Sequence, residues 1–358
     1  MDGQPDTSDI HETSRRDTTF KRVLKIVVPL AVTVMLTTWL LHKVNLPELR
    51  AALHEHVSYA FIAGMMALTV LSHVIRGIRW GYQLRAAGIQ RIPVLAESSS
   101  IFGAYALNLV FPYLGEAWRC VYISRTYNAK LSTVIGTDIG DRASDFVVIV
   151  LLCGLTLIVA HPQMVSFIHS ITPHPSVSHT LGDAPTAIIV VIAVALMAYW
   201  LLERKKGVRL KIMQSLRRIY AGFAVLFHMK GTGAYILLTL GIWCCYFLQT
   251  YLCLFAFPFT RGLVTAPHSL LGIIPALVVF VFGSCSMAVP SNGGLGPWNI
   301  AVVFGLTLYG IDTADATAWS LVYWGWQTVA QIAAGIFAAI YIARQHGNRL
   351  RRLLSRPA

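Results

Sequence analysis

The chain has 358 residues, of which 56% are hydrophobic and 13% are charged, and its mean hydropathy is +0.61. Soluble domains carry about a quarter of their residues as charged side chains, so this composition excludes an ordinary soluble protein and indicates a membrane protein. The formal net charge is +13, but the basic residues lie beside apolar runs, which argues against nucleic-acid binding and suits anionic lipid headgroups instead.

Long runs without Asp, Glu, Lys or Arg predict the membrane-crossing segments. A crossing helix needs roughly 20 mainly apolar residues, so the longest run must hold about two passes. We therefore predict an all-α fold, a polytopic membrane helix bundle of about eight transmembrane helices with one or two re-entrant segments. The uncharged runs are 26–41, 57–75, 184–202, 231–260, 262–311 and 316–343.

The two ends of the chain are polar or basic. Residues 1–20 predict a disordered cytoplasmic tail, and 346–358 predict a basic cytoplasmic tail. A helix at 22–42 is expected to cross outward as an uncleaved anchor, and a helix at 57–76 to return. Residues 21–345 would form one transmembrane domain.

Lysine and arginine fall on one side of this predicted topology. The loop 161–184 has neither residue, and cytoplasmic loops carry an excess of both. We therefore expect the basic loops and both termini to be cytoplasmic, with the cytoplasmic (inner) membrane as the location. The group that follows the second helix consists of Arg76, Arg79, Arg85 and Arg91.

Two segments have unusual surroundings. The apolar segment 98–114 has basic residues on both sides, which favours a re-entrant hairpin and leaves a full crossing as the alternative. After crossings at 138–160 and 185–203, the basic stretch 204–230 predicts an amphipathic cytoplasmic helix, with a plain linker as the alternative. Its apolar residues at helical spacing are Ile212, Leu216, Ile219, Phe223 and Leu226.

The last part of the chain predicts crossings at 233–257, 268–289 and 315–343, with a short helix at 298–311. The sequence VPSNGGLGPWN interrupts this part and echoes the earlier FPYLGEAWR: each has Pro, then Gly, then Trp. Paired Gly/Pro interruptions in two parts of a chain point to a transport site near the middle of the membrane.

Charged residues precede an apolar run in GTDIGDRASDFVVIV. Asp138, Asp141, Arg142 and Asp145 have the spacing i, i+3, i+4 and i+7, so they share one helical face. A charge deep in a bilayer costs about 2.5–3.5 kcal/mol on insertion scales, so we predict that this face lines a polar cavity. The alternative is a helix end in cytoplasmic water, with Arg142 paired to its neighbours.

The sequence FPYLGEAWR predicts a break in a membrane helix at Pro112 and Gly115. Glu116 and Arg119 follow in the first turn after the break, and with the aspartate face they would form a charged vestibule for a phosphate or a zwitterionic headgroup. Arg119 and Arg142 are the expected anion contacts. Simple stabilisation of the helix dipole by Glu116 is the alternative.

The glycine-rich loop permits left-handed backbone and close approach to a ligand. Its exposed amides are candidates for binding an anion or a headgroup, and a tight turn is the alternative. The loop lacks the GK[ST] ending of a nucleotide-binding loop. The candidate binding residues are Asn292, Gly293, Gly294, Gly296, Trp298 and Asn299.

No metal site, cofactor, catalytic residue or disulfide framework is predicted. The six cysteines lack metal-ligand spacing. Outer-loop histidines are expected to be solvated, and a cluster of aromatic residues in the last helix is expected to pack or to lie at the interface. These are His161, His169, His174 and His179, and Trp319, Tyr323, Trp324 and Trp326.

Three motifs together resemble the flippase-like family named for the transmembrane region of lysylphosphatidylglycerol synthases. The resemblance covers about 20–345 and implies an eight-helix bundle with re-entrant segments and a central polar cavity. It also implies movement of phospholipids, including aminoacylated ones, or of polyprenyl-linked lipids. The motif residues are Pro112, Gly115, Glu116 and Arg119; Asp141, Arg142 and Asp145; and Gly293, Gly294, Leu295 and Gly296.

The chain departs from the family pattern. Asn292 and Asn299 stand where the family usually has a proline and an acid, and YWGWQ at 323–327 stands where an arginine is often found. These losses put a cationic aminoacyl lipid in doubt as the substrate. No stretch resembles the aminoacyl-transferase domain, so we expect no synthesis of such a lipid.

These patterns predict a lipid transporter of flippase type, not an enzyme, whose partner is a phospholipid or a polyprenyl-linked lipid and not a nucleic acid. A lipid-synthesis enzyme is a further expected partner. The alternatives are a membrane-embedded lipid or glycan transferase and a non-catalytic subunit of a lipid or envelope-glycan synthesis complex.

Overall fold

The computed structural model describes residues 57–89, 92–160, 231–265, 271–289 and 291–354, with side chains up to 345. The predicted tail 1–20, the helices at 22–42 and 185–203, the loop histidines and the amphipathic stretch 204–230 lie outside the described residues.

The described residues form helices and no strands, which confirms the all-α prediction. In chain order they are α1 (Tyr59–Ala86), α2 (Val94–Asn108), α3 (Leu114–Thr126), α4 (Leu131–Val159), α5 (Thr232–Ala256), α6 (Pro258–Thr265), α7 (Ile273–Ser286), α8 (Pro297–Thr307) and α9 (Thr313–Leu354).

Four of these helices, α1, α4, α5 and α9, are long and apolar enough to cross a membrane. Helices α1 and α5 run antiparallel. At one end of the pair, the backbone N–H of Ser58 donates to the carbonyl oxygen of Ala256 at 2.8 Å. At the other end, Gly231 packs against the ring of Tyr82. We call the first of these ends of the bundle the Ser58 end and the second the Arg85 end. Arg85 lies in the last turn of α1 and pairs with Glu97 of α2 at 3.2 Å.

Helices α2 and α3 form a hairpin that enters from the Arg85 end and returns to it. Glu97 in the first turn of α2 pairs with Arg85, and Tyr122 near the end of α3 donates to Gln345 in the C-terminal part of α9 (2.9 Å). The break between the helices falls at 109–113, which includes the predicted Pro112, whereas Gly115 lies in the first turn of α3. The structure thus has the re-entrant hairpin predicted at 98–114, displaced toward the C-terminus.

Helices α7 and α8 form a second hairpin, which enters from the Ser58 end. Gly272, just before α7, packs on Val264 of α6, and Leu306 of α8 packs in the cluster that contains Trp319 of α9. The 14 residues of α7 span about 21 Å, less than the roughly 30 Å of a bilayer core. The crossing predicted at 268–289 is therefore half of a hairpin.

Two helices differ from their predicted bounds in ways that matter for the site. Helix α1 ends at Ala86, not at 76, because no proline interrupts it and the first glycine with a positive φ is Gly88, at 84°. Helix α4 begins at Leu131, so Asp138 lies two turns inside the helix. Apolar clusters fill the bundle at both ends, around Ile62 and Trp319 at one and around Trp80 and Ile123 at the other.

Candidate functional site

The tips of the two hairpins touch inside the bundle. The backbone N–H of Gly293 donates to the carbonyl oxygen of Asn108 at 3.0 Å, and Asn292 Nδ2 donates to the carbonyl oxygen of Val110 at 3.1 Å. Gly293 has a φ of 59°, and a Cβ there would lie 2.6 Å from Leu109. The two sequences that echo each other therefore form one interface between the hairpins.

The first hairpin closes at Gly115. A Cβ on this glycine would overlap the carbonyl oxygen of Ala104, so α2 and α3 cross too closely for any side chain. Asn108 fixes the turn: its Oδ1 accepts from the backbone N–H of Gly115 at 2.8 Å, and its Nδ2 donates to both carboxylate oxygens of Glu116. These hydrogen bonds hold the Glu116 carboxylate next to the tip of the hairpin.

A cavity of about 300 Å³ lies between the hairpin tips and helices α1, α4, α5 and α9. Its lining combines charged and polar side chains with aromatic rings such as Trp243, Phe280 and Tyr323. Of the predicted site residues, the cavity is lined by Pro112, Glu116, Arg142, Asp145, Gly293, Gly294 and Trp298.

The most accessible charged pair at this cavity joins the two charged sequence motifs, FPYLGEAWR and GTDIGDRASDFVVIV. Arg142 of α4 pairs with Glu116 of α3, and 46% of the Arg142 side chain and 18% of the Glu116 side chain are exposed. An exposed ion pair is held only weakly, by about 0–1 kcal/mol, so an incoming charged group can compete for either partner.

The aspartates behind this pair bind two arginines of α1. Arg76 Nη1 lies 2.7 Å from Asp145 and 3.3 Å from Asp141, and Arg79 Nη2 lies 2.6 Å from Asp141. Both arginines are buried. The expectation that Arg76 and Arg79 belong to a cytoplasmic basic group was wrong, because α1 continues past them and carries them into the bundle.

Arg119 is also buried away from the cavity, contrary to its expected role as an anion contact. It pairs with Asp138 and stacks over the ring of Trp80, with 4.5 Å between its guanidinium carbon and the ring centre. The indole nitrogen of Trp80 in turn donates to Thr137 at 3.1 Å. Arg119 therefore links α3 to α4 through the ion pair and to α1 through the contact with Trp80.

The four charged residues predicted on one face of α4 therefore lie in two different environments. Asp138 and Asp141 face buried arginines, whereas Arg142 and Asp145 reach the cavity. Arg142 pairs across to α3, so the alternative of local pairing within α4 is wrong. The network balances four arginines with four acids: Arg76, Arg79, Arg119 and Arg142, and Glu116, Asp138, Asp141 and Asp145.

Comparison with known families identifies the chain. The family described as the lysylphosphatidylglycerol synthase TM region matches residues 26–335. The chain belongs to this family. No curated protein and no solved structure matches.

The departures from this family's expected pattern have visible structural roles. Asn292 donates to the first hairpin, a bond that a proline cannot make. Asn299 accepts from the backbone N–H of Gly296 at 3.1 Å and donates to Ser320 Oγ of α9 at 3.3 Å. Asn292, Gly296 and Asn299 therefore shape the loop, and the loop presents Gly293, Gly294 and Trp298 to the cavity.

The last helix supports the same loop. The indole nitrogen of Trp324 donates to the carbonyl oxygen of Gly293 at 2.9 Å, and that of Trp319 donates to Cys253 at 3.0 Å. Tyr323 packs on Trp298 with 4.8 Å between ring centres. Trp319 is thus a packing residue, as expected, while Trp324 and Tyr323 also line the cavity.

Several cavity residues carried no recognised signal in the sequence. Arg76 and His73 lie one turn apart on α1, and Tyr246 and Gln249 lie one turn apart on α5. The spacing of His73, Arg76 and Trp80 continues the helical period, and this continuity was the available signal that α1 extends into the charged region. Among the described side chains, no group of three His, Cys, Asp or Glu is placed to hold a metal ion.

Proposed function

We propose that this membrane protein is a lipid transporter of flippase type, in which a polar headgroup passes through the cavity while the acyl chains stay in the bilayer. The observation that carries the proposal is the accessible Arg142–Glu116 pair, which lines a cavity enclosed by two hairpin tips and membrane-length helices. Charged side chains within membrane-spanning helices are rare, and they commonly mark the path of a substrate or an ion.

The size of the cavity supports a headgroup as the transported part. A volume of about 300 Å³ lies at the lower end of the roughly 300–1,000 Å³ of small-molecule binding cavities. This space suits a phosphate with one small substituent and is too small for a whole lipid. The tails would therefore remain outside the cavity during passage.

The charge of the cavity supports a phosphate-containing or zwitterionic headgroup. A phosphate would bind the guanidinium of Arg142, which offers the bidentate geometry that phosphate oxygens favour. Binding of the phosphate by Arg142 would free Glu116 from its ion pair with Arg142. The Glu116 carboxylate would then bind a cationic part of the same headgroup. A zwitterion leaves the balanced network neutral, which favours it over a headgroup that carries net positive charge.

The remaining parts of the proposal follow from the sequence. The chain contains no nucleotide-binding loop, so transport would be passive or coupled to an ion. The cytoplasmic membrane is the proposed location, with the Arg85 end facing the cytoplasm because basic residues such as Arg85, Arg125 and Arg344 lie there. A phospholipid or a polyprenyl-linked lipid would be the partner.

The test is transbilayer movement of fluorescent phospholipids in vesicles that contain the purified protein. Addition of a membrane-impermeant quencher to vesicles labelled on both leaflets should remove more fluorescence than in protein-free vesicles. Phosphatidylethanolamine, phosphatidylcholine and phosphatidylglycerol probes should be compared. Movement no faster than in empty vesicles for all three would reject the proposal. Formation of a new lipid product by the pure protein would favour the transferase alternative.

A further inference from the structure

Two thiols on neighbouring helices lie side by side. Cys153 Sγ of α4 is 3.4 Å from Cys285 Sγ of α7, and both cysteines are free. Cys285 is exposed and Cys153 is partly exposed among the described residues. A disulfide bond is about 2.05 Å long, so the sulfurs need to approach by about 1.4 Å, a distance that side-chain rotation can cover.

The helices that carry these cysteines are already packed together. Ile149 and Leu152 of α4 lie in the same apolar cluster as Leu277, Phe280 and Val281 of α7. Packing of this kind keeps the two thiols close without a covalent bond. The pair therefore differs from the other free cysteines among the described residues, none of which has a thiol from another helix recorded beside it.

We propose that Cys153 and Cys285 are an oxidation site that forms a disulfide bond between α4 and α7. The oxidant is a low-molecular-weight disulfide. One thiolate attacks it, which gives a mixed disulfide and releases one reduced thiol. The second protein thiolate then attacks the mixed disulfide and releases the other reduced thiol. Two S–H bonds and one S–S bond are lost, and two new S–H bonds and one new S–S bond are formed.

The bond would join two neighbouring helices that both contribute residues to the headgroup site. Helix α4 carries Arg142 and Asp145, and Cys285 lies between cavity residues Ser284 and Met287 at the end of α7. The loop with Gly293 follows directly. A covalent bond here would hold the second hairpin at a fixed distance from the charged helix. The further consequence, that oxidation stops lipid movement, rests on the proposed function.

The first test uses an equimolar amount of 4,4′-dithiodipyridine on the reduced, full-length protein in membranes and in detergent. Mass spectrometry without reduction should find peptides containing Cys153 and Cys285 joined, with no pyridyl group on either. In Cys153→Ser, Cys285 should instead keep one thiopyridyl group. Cys244, which is exposed on α5, serves as an internal control that is expected to keep its adduct. Stable pyridyl adducts on both Cys153 and Cys285 of the unmodified protein would overturn the proposal.

The second test measures lipid movement before oxidation, after oxidation and after reduction. Oxidised protein should fall to the rate of empty vesicles and recover on reduction, while Cys153→Ser should be unaffected. A cross-linked protein that moves lipid at the reduced rate would overturn the blocking role. If the reduced protein moves no lipid, the proposed function fails, and the peptide measurement still decides whether the cross-link forms.

Discussion

The backbone N–H of Gly293 and the carbonyl oxygen of Asn108 form a 3.0 Å hydrogen bond that links two hairpins entering from opposite ends of the bundle. Each hairpin leaves helix-terminal backbone groups without partners in its own helices, and such groups are tolerated in a membrane only beside protein or water. The contact between the tips satisfies some of these groups and also encloses the cavity.

Gly115→Ala should prevent closure of the first hairpin. The added methyl group would overlap the carbonyl oxygen of Ala104, and we expect a loss of more than about 3 kcal/mol of stability. The matched control is Gly136→Ala on α4, where a Cβ meets nothing and the change should be neutral or stabilising by up to about 1 kcal/mol. Thermal unfolding in detergent measures both. Equal melting temperatures for the two variants would contradict this account of Gly115.

Arg142→Ala should reduce lipid movement without unfolding the protein. Loss of a charge-assisted hydrogen bond to a headgroup phosphate costs about 1.5–3 kcal/mol, which corresponds to roughly 10- to 150-fold slower transport. Because the Arg142–Glu116 pair is partly exposed, the melting temperature should change little.

The control for this variant is Arg125→Ala, an exposed arginine of α3 outside the cavity, which should retain transport. Arg142→Lys should recover part of the activity, because it restores the charge without the two-pronged geometry. Normal transport by Arg142→Ala would remove Arg142 from the headgroup path.

Asp141→Asn should destabilise the bundle strongly. The substitution leaves Arg76 and Arg79 buried with too little negative charge, and breaking a buried pair typically costs about 3–5 kcal/mol. The control is Asp312→Asn at the start of α9, where an asparagine accepts the same backbone N–H and the change should stay within about 0.5 kcal/mol.

A double-variant cycle tests the same network more directly. Arg79→Met combined with Asp141→Asn should be less destabilising than the sum of the two single changes, because the pair is removed together. Strict additivity in chemical or thermal unfolding would show that the two residues do not interact across α1 and α4.

Asn299→Asp should destabilise the glycine-rich loop, although an acid matches the family pattern better. Ser320 Oγ donates to the carbonyl oxygen of Thr317, so it can only accept from residue 299. A carboxylate cannot donate, and the lost bond in a buried site costs about 1–3 kcal/mol. Melting measurements should show the deficit at neutral pH and partial recovery in acid, where the carboxyl group can donate. Unchanged melting at neutral pH would contradict the assigned hydrogen bonds.

Glu97 should make stability depend on pH. It lies in the first turn of α2 at the Arg85 end, where burial raises the pKa of its carboxyl group to about 7 and Arg85 opposes this effect. The folded protein therefore holds this proton more tightly than the unfolded chain, so the contribution to stability is present at low pH and is lost as the pH rises from about 4.5 to about 7. Glu97→Gln should abolish this part of the pH dependence of the melting temperature. An unchanged profile would contradict it.

The sequence was sufficient for the fold class and for the charged helix, because apolar runs and the spacing of Asp138, Asp141, Arg142 and Asp145 are local signals. It also indicated the hairpin at 98–114, from basic residues on both flanks. The role of these residues in lipid binding stays a prediction.

The ion partners could not be derived from the same signals. Arg76 follows an apolar run in the way that a cytoplasmic arginine does, and only packing of α1 on α4 distinguishes the two cases. The second hairpin was missed for a related reason: residues 268–289 are uncharged along their whole length, so hydropathy alone does not reveal that the helix covers only Ile273–Ser286 and is too short to cross.

The separation between Arg76 and its acidic partners has a consequence for biosynthesis. The ribosome adds Arg76 65 residues before it reaches Asp141, and an arginine at the centre of a lone membrane helix costs about 2.5–3.5 kcal/mol. We therefore expect α1 to reach its final position in the membrane only after α4 has been made and has supplied the acidic partners of Arg76 and Arg79.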